Sequence, residues 1–547
     1  MDAHMHPRPE IHAEFPRETT GLPTAVPPSD VVVDDGDVLT LRIGPVRNRI
    51  GGTEMRMLAY NGSIPGPCLR VRQGSTITVD VTNHADLEQT VHWHGLRLEN
   101  RFDGVPHQTQ RPIPVGGNFR YELQFPDEGL YWYHPHVRED YGQEMGLYAP
   151  IVVKPADPAY WPPCHRDLVL TLDDLLLEDG RMPVFQRAGA NRTMMGRYGN
   201  VLLVSGRVRP TFAAGRGEVV RLYLVNTANT RIFNVAVDGA AMKLVGGDSG
   251  RVEHERFVDA VMIAPSERAV VDVLFDRPGP VDLVHRTPAG VQTLATFTVS
   301  DDVATPPLAE SFTELRHAPE LRRERERLAA DRDRGPDHTL QLVGEMDMGQ
   351  GMGHGMSTMG HGMSTMGRTG ATQHHMAAMD HDTHTTGHHT APMQHDTAGA
   401  DREEVGEADG IEWEDTMPEM NVMSDHTNMV WKLVDADTGA VNHDIWWTFH
   451  VGDRVKLRLD NSLPSDHQMH HPFHVHGAGR FLVLDRGGVE EDNLVWKDTV
   501  LVREGEVVNI LLDVSNPGVW MAHCHIAEHV ETGMMFSLEV LPERALR

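Results

Sequence analysis

The chain has 547 residues with 49 Lys and Arg against 79 Asp and Glu, a formal charge of −30 with histidine neutral. That balance leaves nothing to neutralise phosphates and excludes a nucleic-acid binder, and at roughly 150 residues per domain the length excludes a single small fold. No run of 18 apolar residues occurs, so no membrane-spanning helix is expected.

In chain order, Met1 to Pro28 is polar and Pro-rich, with neither a basic n-region nor an apolar h-region. Residues 1–30 are therefore read as a polar extension that shows no export signal. Beyond it, runs such as Thr76-Ile77-Thr78-Val79-Asp80-Val81 and Val219-Val220-Arg221-Leu222-Tyr223-Leu224 are short, β-branched and bounded by Gly, Asn or Pro. Such runs are the strands of β-sandwiches, so the fold class is all-β. Long helical periodicity is confined to Leu308–Arg334, rich in Glu, Arg and Leu, which reads as a solvated connecting helix or a plain linker.

An internal repeat emerges when strand ends are compared. Gly74, Gly217 and Gly452 each precede an asparagine, Asn83, Asn226 and Asn461, by nine residues. A second marker agrees: Gly129, Gly279 and Gly518 precede His134, Val284 and His523 by five. Three copies of one β-domain are expected, at 31–157, 165–300 and 337–543, with a charged connector at 301–336. Between residues 344 and 398 lie ten Met and nine His with no Val, Ile, Leu, Phe, Tyr or Trp. Such a stretch cannot build a core, so it is read as a disordered, mobile insertion in the third domain. Within it Met352-Gly353-His354-Gly355-Met356-Ser357-Thr358 repeats from Met359 to Thr365, a local duplication.

Four motifs carry chemistry: His92-Trp93-His94-Gly95, His134-Pro135-His136, His471-Pro472-Phe473-His474-Val475-His476-Gly477, and His523-Cys524-His525 followed by His529 and Met534. Two histidines two apart on a strand point to one face, so each H-x-H pair offers two imidazoles in one direction. Eight converging imidazoles could hold three copper ions with positions left open for dioxygen. The whole chain has 34 His and 28 Met, and such donors suit copper better than magnesium or calcium. In an extended segment the Cys524 sulfur points away from its flanking imidazoles and serves a different metal. His471, Cys524, His529 and Met534 then supply two imidazoles, a thiolate and a thioether, the blue-copper set, and the Cys524 backbone links it to the cluster by a short covalent path.

With these motifs in order, the sequence resembles the three-domain multicopper oxidases, the family of laccases and bacterial copper-efflux oxidases, built from cupredoxin-like β-sandwiches. The resemblance spans about residues 31 to 543. It implies four copper ions: a type 1 copper on His471, Cys524, His529 and Met534, a type 2 copper on His92 and His474, and a type 3 pair on His94, His134, His136, His476, His523 and His525. Asn234, Val235 and Val284 stand in the middle copy where the others place histidines, so that domain is expected to bind no copper and to act as a spacer. Asp103, in Asn100-Arg101-Phe102-Asp103-Gly104, matches the acid that lies near the cluster and supplies protons; the alternative is an ordinary Asp-Gly turn. Relatives often carry a glutamate directly after the equivalent of His529; here Val530 stands there with Glu531 next, so no relay is expected through Glu531. His84, His107, His285 and His443, and Met145, Met194 and Met195, are read as packing or surface residues.

The implied activity couples four one-electron oxidations of a donor to reduction of dioxygen to water. An axial Met534 lowers the potential of the blue site, favouring easily oxidised donors: Cu(I), Fe(II), methoxyphenols or aromatic diamines. The Met/His insertion, where copper-efflux oxidases carry a Met-rich segment, suits Cu(I), either as an additional binding site or as a collector of substrate. The alternatives are a laccase for organic phenols whose pocket the insertion obstructs, and a non-enzymatic copper buffer, against which the intact ligand set argues. One type 2 site cannot use this many paired histidines, which disfavours a copper nitrite reductase. The resemblance implies a cell-envelope or secreted enzyme, and a monomer is the default. Three cysteines are too few for a disulfide framework, leaving at most a bridge between Cys68 and Cys164.

Overall fold

The computed structural model describes residues 14–346 and 409–544. The Met/His insertion, from residue 347 onward, and the first thirteen residues lie outside the described residues. Strands form where alternate side chains can be buried: along Thr76–Asn83, Ile77, Val79 and Val81 face the core and Thr78 and Asp80 between them do not. The strands assemble into six sheets that pair off along the chain as three sandwiches. The first joins a sheet containing His92–His94, Gly129–His134 and Ala149–Lys154 to one built on Val38–Ile50 and Thr76–Asn83. The second is built on Glu218–Asn226, Arg268–Phe275 and Gly279–Thr287, and the third on Arg454–Asp460, Val507–Val514, His471–Val475 and Gly518–Cys524.

The glycine-to-asparagine repeat has a structural cause. Gly74, Gly217 and Gly452 take φ of +86°, +76° and +93°, where a side chain is strained, and their N–H groups donate to Phe125, Phe275 and Val514 at the same place in each sandwich. Each strand that follows ends on its asparagine or, at Asp460, one residue before it, and the asparagine Nδ2 clamps two separate carbonyls: Leu87 and Ile113 for Asn83, Arg231 and Ile263 for Asn226, Met469 and Arg503 for Asn461, all at 2.7 to 2.9 Å. A buried carbonyl left unpaired is costly, so one asparagine fixes the corner from which the histidine-bearing segment departs.

The connector is more than a solvated helix. Pro319–Asp333 is helical, with proline in its first turn. Its Leu321 and Leu328 are buried against Leu482, Leu484, Leu494 and Leu511 of the third sandwich. Cys68, Cys164 and Cys524 are all unbridged. Among the described residues no helix is long and apolar enough to cross a membrane.

Candidate metal centre

The His92–His94 and Gly129–His134 strands pair antiparallel with His92 opposite His134. In the third sandwich the His471–Val475 strand pairs with Gly518–Cys524 so that His474 stands opposite His523. Each register brings two H-x-H motifs side by side, and the two sandwiches face one another. His94 stacks on His474 at 3.8 Å between ring centroids, His92 lies 4.0 Å from His476, and His136 lies 5.3 Å from His523. All eight rings are buried, none more than 6% exposed.

Most of these rings spend one nitrogen on an outer oxygen. The Nδ1 atoms of His92, His134, His474 and His523 lie 2.7 to 2.9 Å from the carbonyls of Asp103, Pro135, Asp498 and Cys524. His476 Nδ1 lies 2.8 Å from Asp103 Oδ2, and His136 Nδ1 lies 2.8 Å from Glu139 Oε1. His94 is turned the other way, with Nε2 3.0 Å from Asp498 Oδ1 and 3.1 Å from Thr499 Oγ1. Carbonyl and carboxylate oxygens can only accept, so the proton sits on the outer nitrogen and the other nitrogen keeps its lone pair. That inner nitrogen has no protein partner on His92, His134, His136, His474 or His94, and neither nitrogen has one on His525. Buried polar atoms without partners are rare in folded proteins, and a cluster of them converging from eight imidazoles is the donor set of metal ions.

Electrostatics agrees. Burial pushes His94, His134, His474, His476 and His523 well below the usual imidazole range and His525 down to about 4, so these rings are neutral and able to ligate. His136 differs: burial opposes its charge, but Glu139 outweighs burial and raises it.

Cys524 closes its strand with Sγ on the face away from this cluster, 3.5 Å from His471 Nδ1 and 3.6 Å from His529 Nδ1. Trp431 stacks on His529 at 4.2 Å and meets His471 edge-on at 4.8 Å, walling the group off from water. Met534 is fully buried in the same core, and its carbonyl accepts the Cys524 N–H at 3.2 Å. The two donor sets thus share the peptide run His523-Cys524-His525.

Asp103 is more than a turn residue, since its carbonyl and carboxylate hold rings of two different sandwiches. Gly104 permits this: it takes φ of +86°, and a Cβ there would lie 2.1 Å from the Val91 carbonyl oxygen. Glu531 accepts the Glu139 N–H at 3.2 Å, and burial lifts its carboxyl to about 8. A cavity of about 580 Å³ lined by His107, His136, Glu139, His443, Val530 and Glu531 reaches the cluster from solvent.

The middle sandwich offers no imidazole to the cluster. Val284 is opposite Ala236, one residue beyond Val235, in a pairing that runs unbroken from Val235 to Asp238. The position equivalent to His92 and His474 is therefore Ala236, and not Asn234 or Val235. His285 is buried, accepts the Asn234 N–H at 3.1 Å and is lowered to about 4 by burial, a packing role. Met145, Met194 and Met195 are buried core residues.

Sequence reading missed four supporting residues. Glu139 follows His136 by three, a spacing that carries a readable signal. Asp498, Thr499 and Arg268 carry none. Arg268, on a strand of the middle sandwich, donates to both oxygens of Asp498 at 2.6 and 2.5 Å and to the Leu130 carbonyl at 2.7 Å. One guanidinium thereby ties all three sandwiches together behind the cluster.

Three sandwiches with a sulfur-containing donor set and a histidine cluster joined through one cysteine define a cupredoxin-like metalloprotein. Family models of the multicopper oxidases match residues 45–158, 168–282 and 413–544. Over 533 residues, 92% of this chain and 86% of the relative, it is 27% identical to multicopper oxidase MmcO of Mycobacterium tuberculosis. Over 123 residues, 22% of this chain and 20% of the relative, it is 36% identical to copper resistance protein A of Pseudomonas syringae pv. tomato. The structure of a multicopper oxidase from Campylobacter jejuni, described as a metallo-oxidase, superposes with a TM-score of 0.64 at 20% identity, covering 97% of this chain and 99% of that one. The chain belongs to the multicopper oxidase family, oxidoreductases that use copper and dioxygen.

Proposed function

We propose that the protein couples four one-electron oxidations of Cu(I), or of another low-valent metal ion, to reduction of one dioxygen to two waters. The carrying observation is the pair of donor sets joined by the His523-Cys524-His525 peptide. His471, Cys524, His529 and Met534 would hold a type 1 copper; His92 and His474 a type 2 copper; His94, His134, His136, His476, His523 and His525 a type 3 pair. Copper bound in these sets supplies one-electron redox chemistry at the first and dioxygen reduction at the others.

The protein's own residues then have distinct tasks. The Cys524 backbone gives electrons a covalent route between the sets. Burial of every ring excludes bulk water, and Asp103, Glu139, Asp498 and the backbone carbonyls lock every imidazole of the cluster but His525 in its ligating tautomer. Asp103, holding the His476 N–H with one oxygen and keeping Oδ1 free of any hydrogen bond, 3.4 Å from His92 Nδ1, can hold a proton beside the cluster.

A metal-ion donor is supported by soft atoms beside the cysteine set. His467 Nε2 lies 3.1 Å from Met195 Sδ, Met469 is fully buried, and Met417 and Met420 pack on the same core. The strand ending at Met346 packs there too and leads into the Met/His insertion. The name of the Pseudomonas relative, a copper resistance protein, accords with this donor.

Oxygen uptake by the copper-loaded protein, with Cu(I) and with a dimethoxyphenol, is compared before and after removal of residues 347–408. A metal-ion oxidase loses Cu(I) turnover and gains phenol turnover. Equal acceleration with both donors, or no change, makes a phenol-oxidising laccase the better reading. Cys524→Ser is expected to abolish the intense blue absorption and the oxidase activity while the circular dichroism of the β-sandwiches persists. Retained turnover would remove Cys524 from the electron path.

A further inference from the structure

The middle sandwich contributes no ligand to the centre described above, yet one of its strands and the connector together present an imidazole pair. His254, on the Gly250–Phe257 strand, and His317, just before the Pro319–Asp333 helix, face each other with Nδ1 atoms 2.8 Å apart. Their rings meet edge to face, 4.9 Å between centroids and 79° between planes. Backbone bonds, and not the ring contact alone, set these positions. The His254 N–H donates to Asn493 Oδ1 and the His254 carbonyl accepts from Asn493 Nδ2, both at 2.9 Å. On either side, Ala318 N–H donates to the Glu253 carbonyl at 2.8 Å and Glu255 N–H to the Arg316 carbonyl at 3.0 Å.

The outer nitrogen of His254 has a carboxylate beside it. Glu253 Oε1 lies 3.4 Å from His254 Nε2, and both Glu253 oxygens accept from Arg325 Nε at 2.8 and 2.9 Å, which fixes the carboxylate in place. A carboxylate beside Nε2 favours the tautomer with its proton on that side, which turns the Nδ1 lone pair to His317, the arrangement that accompanies histidines on metal ions. The His254 side chain is 42% exposed, so an ion from solvent can reach it.

Geometry selects among metals. With metal–nitrogen bonds of about 2.0–2.1 Å, two nitrogens 2.8 Å apart subtend close to a right angle at the ion. A right angle suits the tetragonal preference of Cu(II), and two imidazoles without thiolate or thioether favour Cu(II) over Cu(I), magnesium or calcium. We propose that His254 and His317 form a Cu(II) site, bound through both Nδ1 atoms and completed by water, that pins the connector to the middle sandwich. The site is independent of the oxidase centre and of the donor that centre uses.

The test titrates the full-length, copper-loaded protein with Cu(II) by calorimetry, beside the single variants His254→Gln and His317→Gln. Each variant is expected to bind one equivalent less and to lose the rise in Tm that this equivalent gives, while its blue absorption and phenol turnover stay as in the parent. Crystals soaked in Cu(II) should show an anomalous peak at the copper edge between the two Nδ1 atoms, absent in His317→Gln. Unchanged stoichiometry in both variants, or no peak in the parent, overturns the site and leaves the pair a ring-to-ring hydrogen bond. Retained blue absorption shows that either variant has folded.

Discussion

Asp103 orients one ring from each half of the cluster, through its carbonyl to His92 and its carboxylate to His476. Asp103→Asn keeps the size and one accepting oxygen but removes the charge and the capacity to carry a proton. Reduction of the blue site by donor is expected to run at its normal rate, while its reoxidation by dioxygen slows on the order of 10²-fold, the scale of a lost general acid. Stopped-flow absorbance separates the two steps. Equal rates for both in parent and variant would reduce Asp103 to a positioning residue. Residues of this kind are half legible: the Asp-Gly pair is visible in the sequence, but its reach to His476, far along the chain, is a tertiary fact. Asp498 is less legible still, since it stands 404 positions from His94 and belongs to no motif.

At the scale of elements the sequence was more informative. Period-two alternation located strands such as Thr76–Asn83, and the glycine and asparagine markers located the same corner three times because both answer to local backbone demands, a positive φ and two buried carbonyls. The H-x-H motifs named the imidazoles because a strand sends alternate side chains to one face. What local pattern could not give is the offset to Ala236, since the register of a strand depends on its neighbour, or the burial of Leu321 and Leu328, since a charged helix looks solvated until its partner is known. The corner asparagine can be tested where no metal intervenes. Asn226→Ala leaves the Arg231 and Ile263 carbonyls unpaired and should destabilise the protein by about 2–4 kcal/mol, read by denaturant unfolding. The blue absorption of the folded fraction should not move. A loss within experimental error would mean that water replaces the amide.

For the molecule as a whole, the buried histidines make stability depend on pH once metal is removed. Rings whose protonation burial suppresses, among them His94, His471, His474, His523 and His529, with His525 at about 4, bind fewer protons folded than unfolded. Their contribution is complete above the unfolded value of about 6.5 and is lost as pH falls through the folded values, each ring adding about 1.4 kcal/mol per pH unit. His136, raised by Glu139, runs against this trend. The metal-free protein is therefore expected to lose Tm steeply from pH 7 to pH 5 while the copper-loaded protein loses much less, because bound metal holds the rings unprotonated. Parallel curves for the two forms in calorimetry would show that the rings are not what acid attacks.

Arg268 has a consequence in time as well as in space. It joins the Leu130 carbonyl of the first sandwich to Asp498 of the third from a strand of the second, and the imidazoles before it divide evenly between the outer two. During synthesis the first sandwich emerges with four histidines that have nothing to close upon, and the remaining four are not present until the third sandwich has been made. Copper that arrives early meets only half a cage, so a filled cluster reports that the third sandwich has been made and has closed on the first.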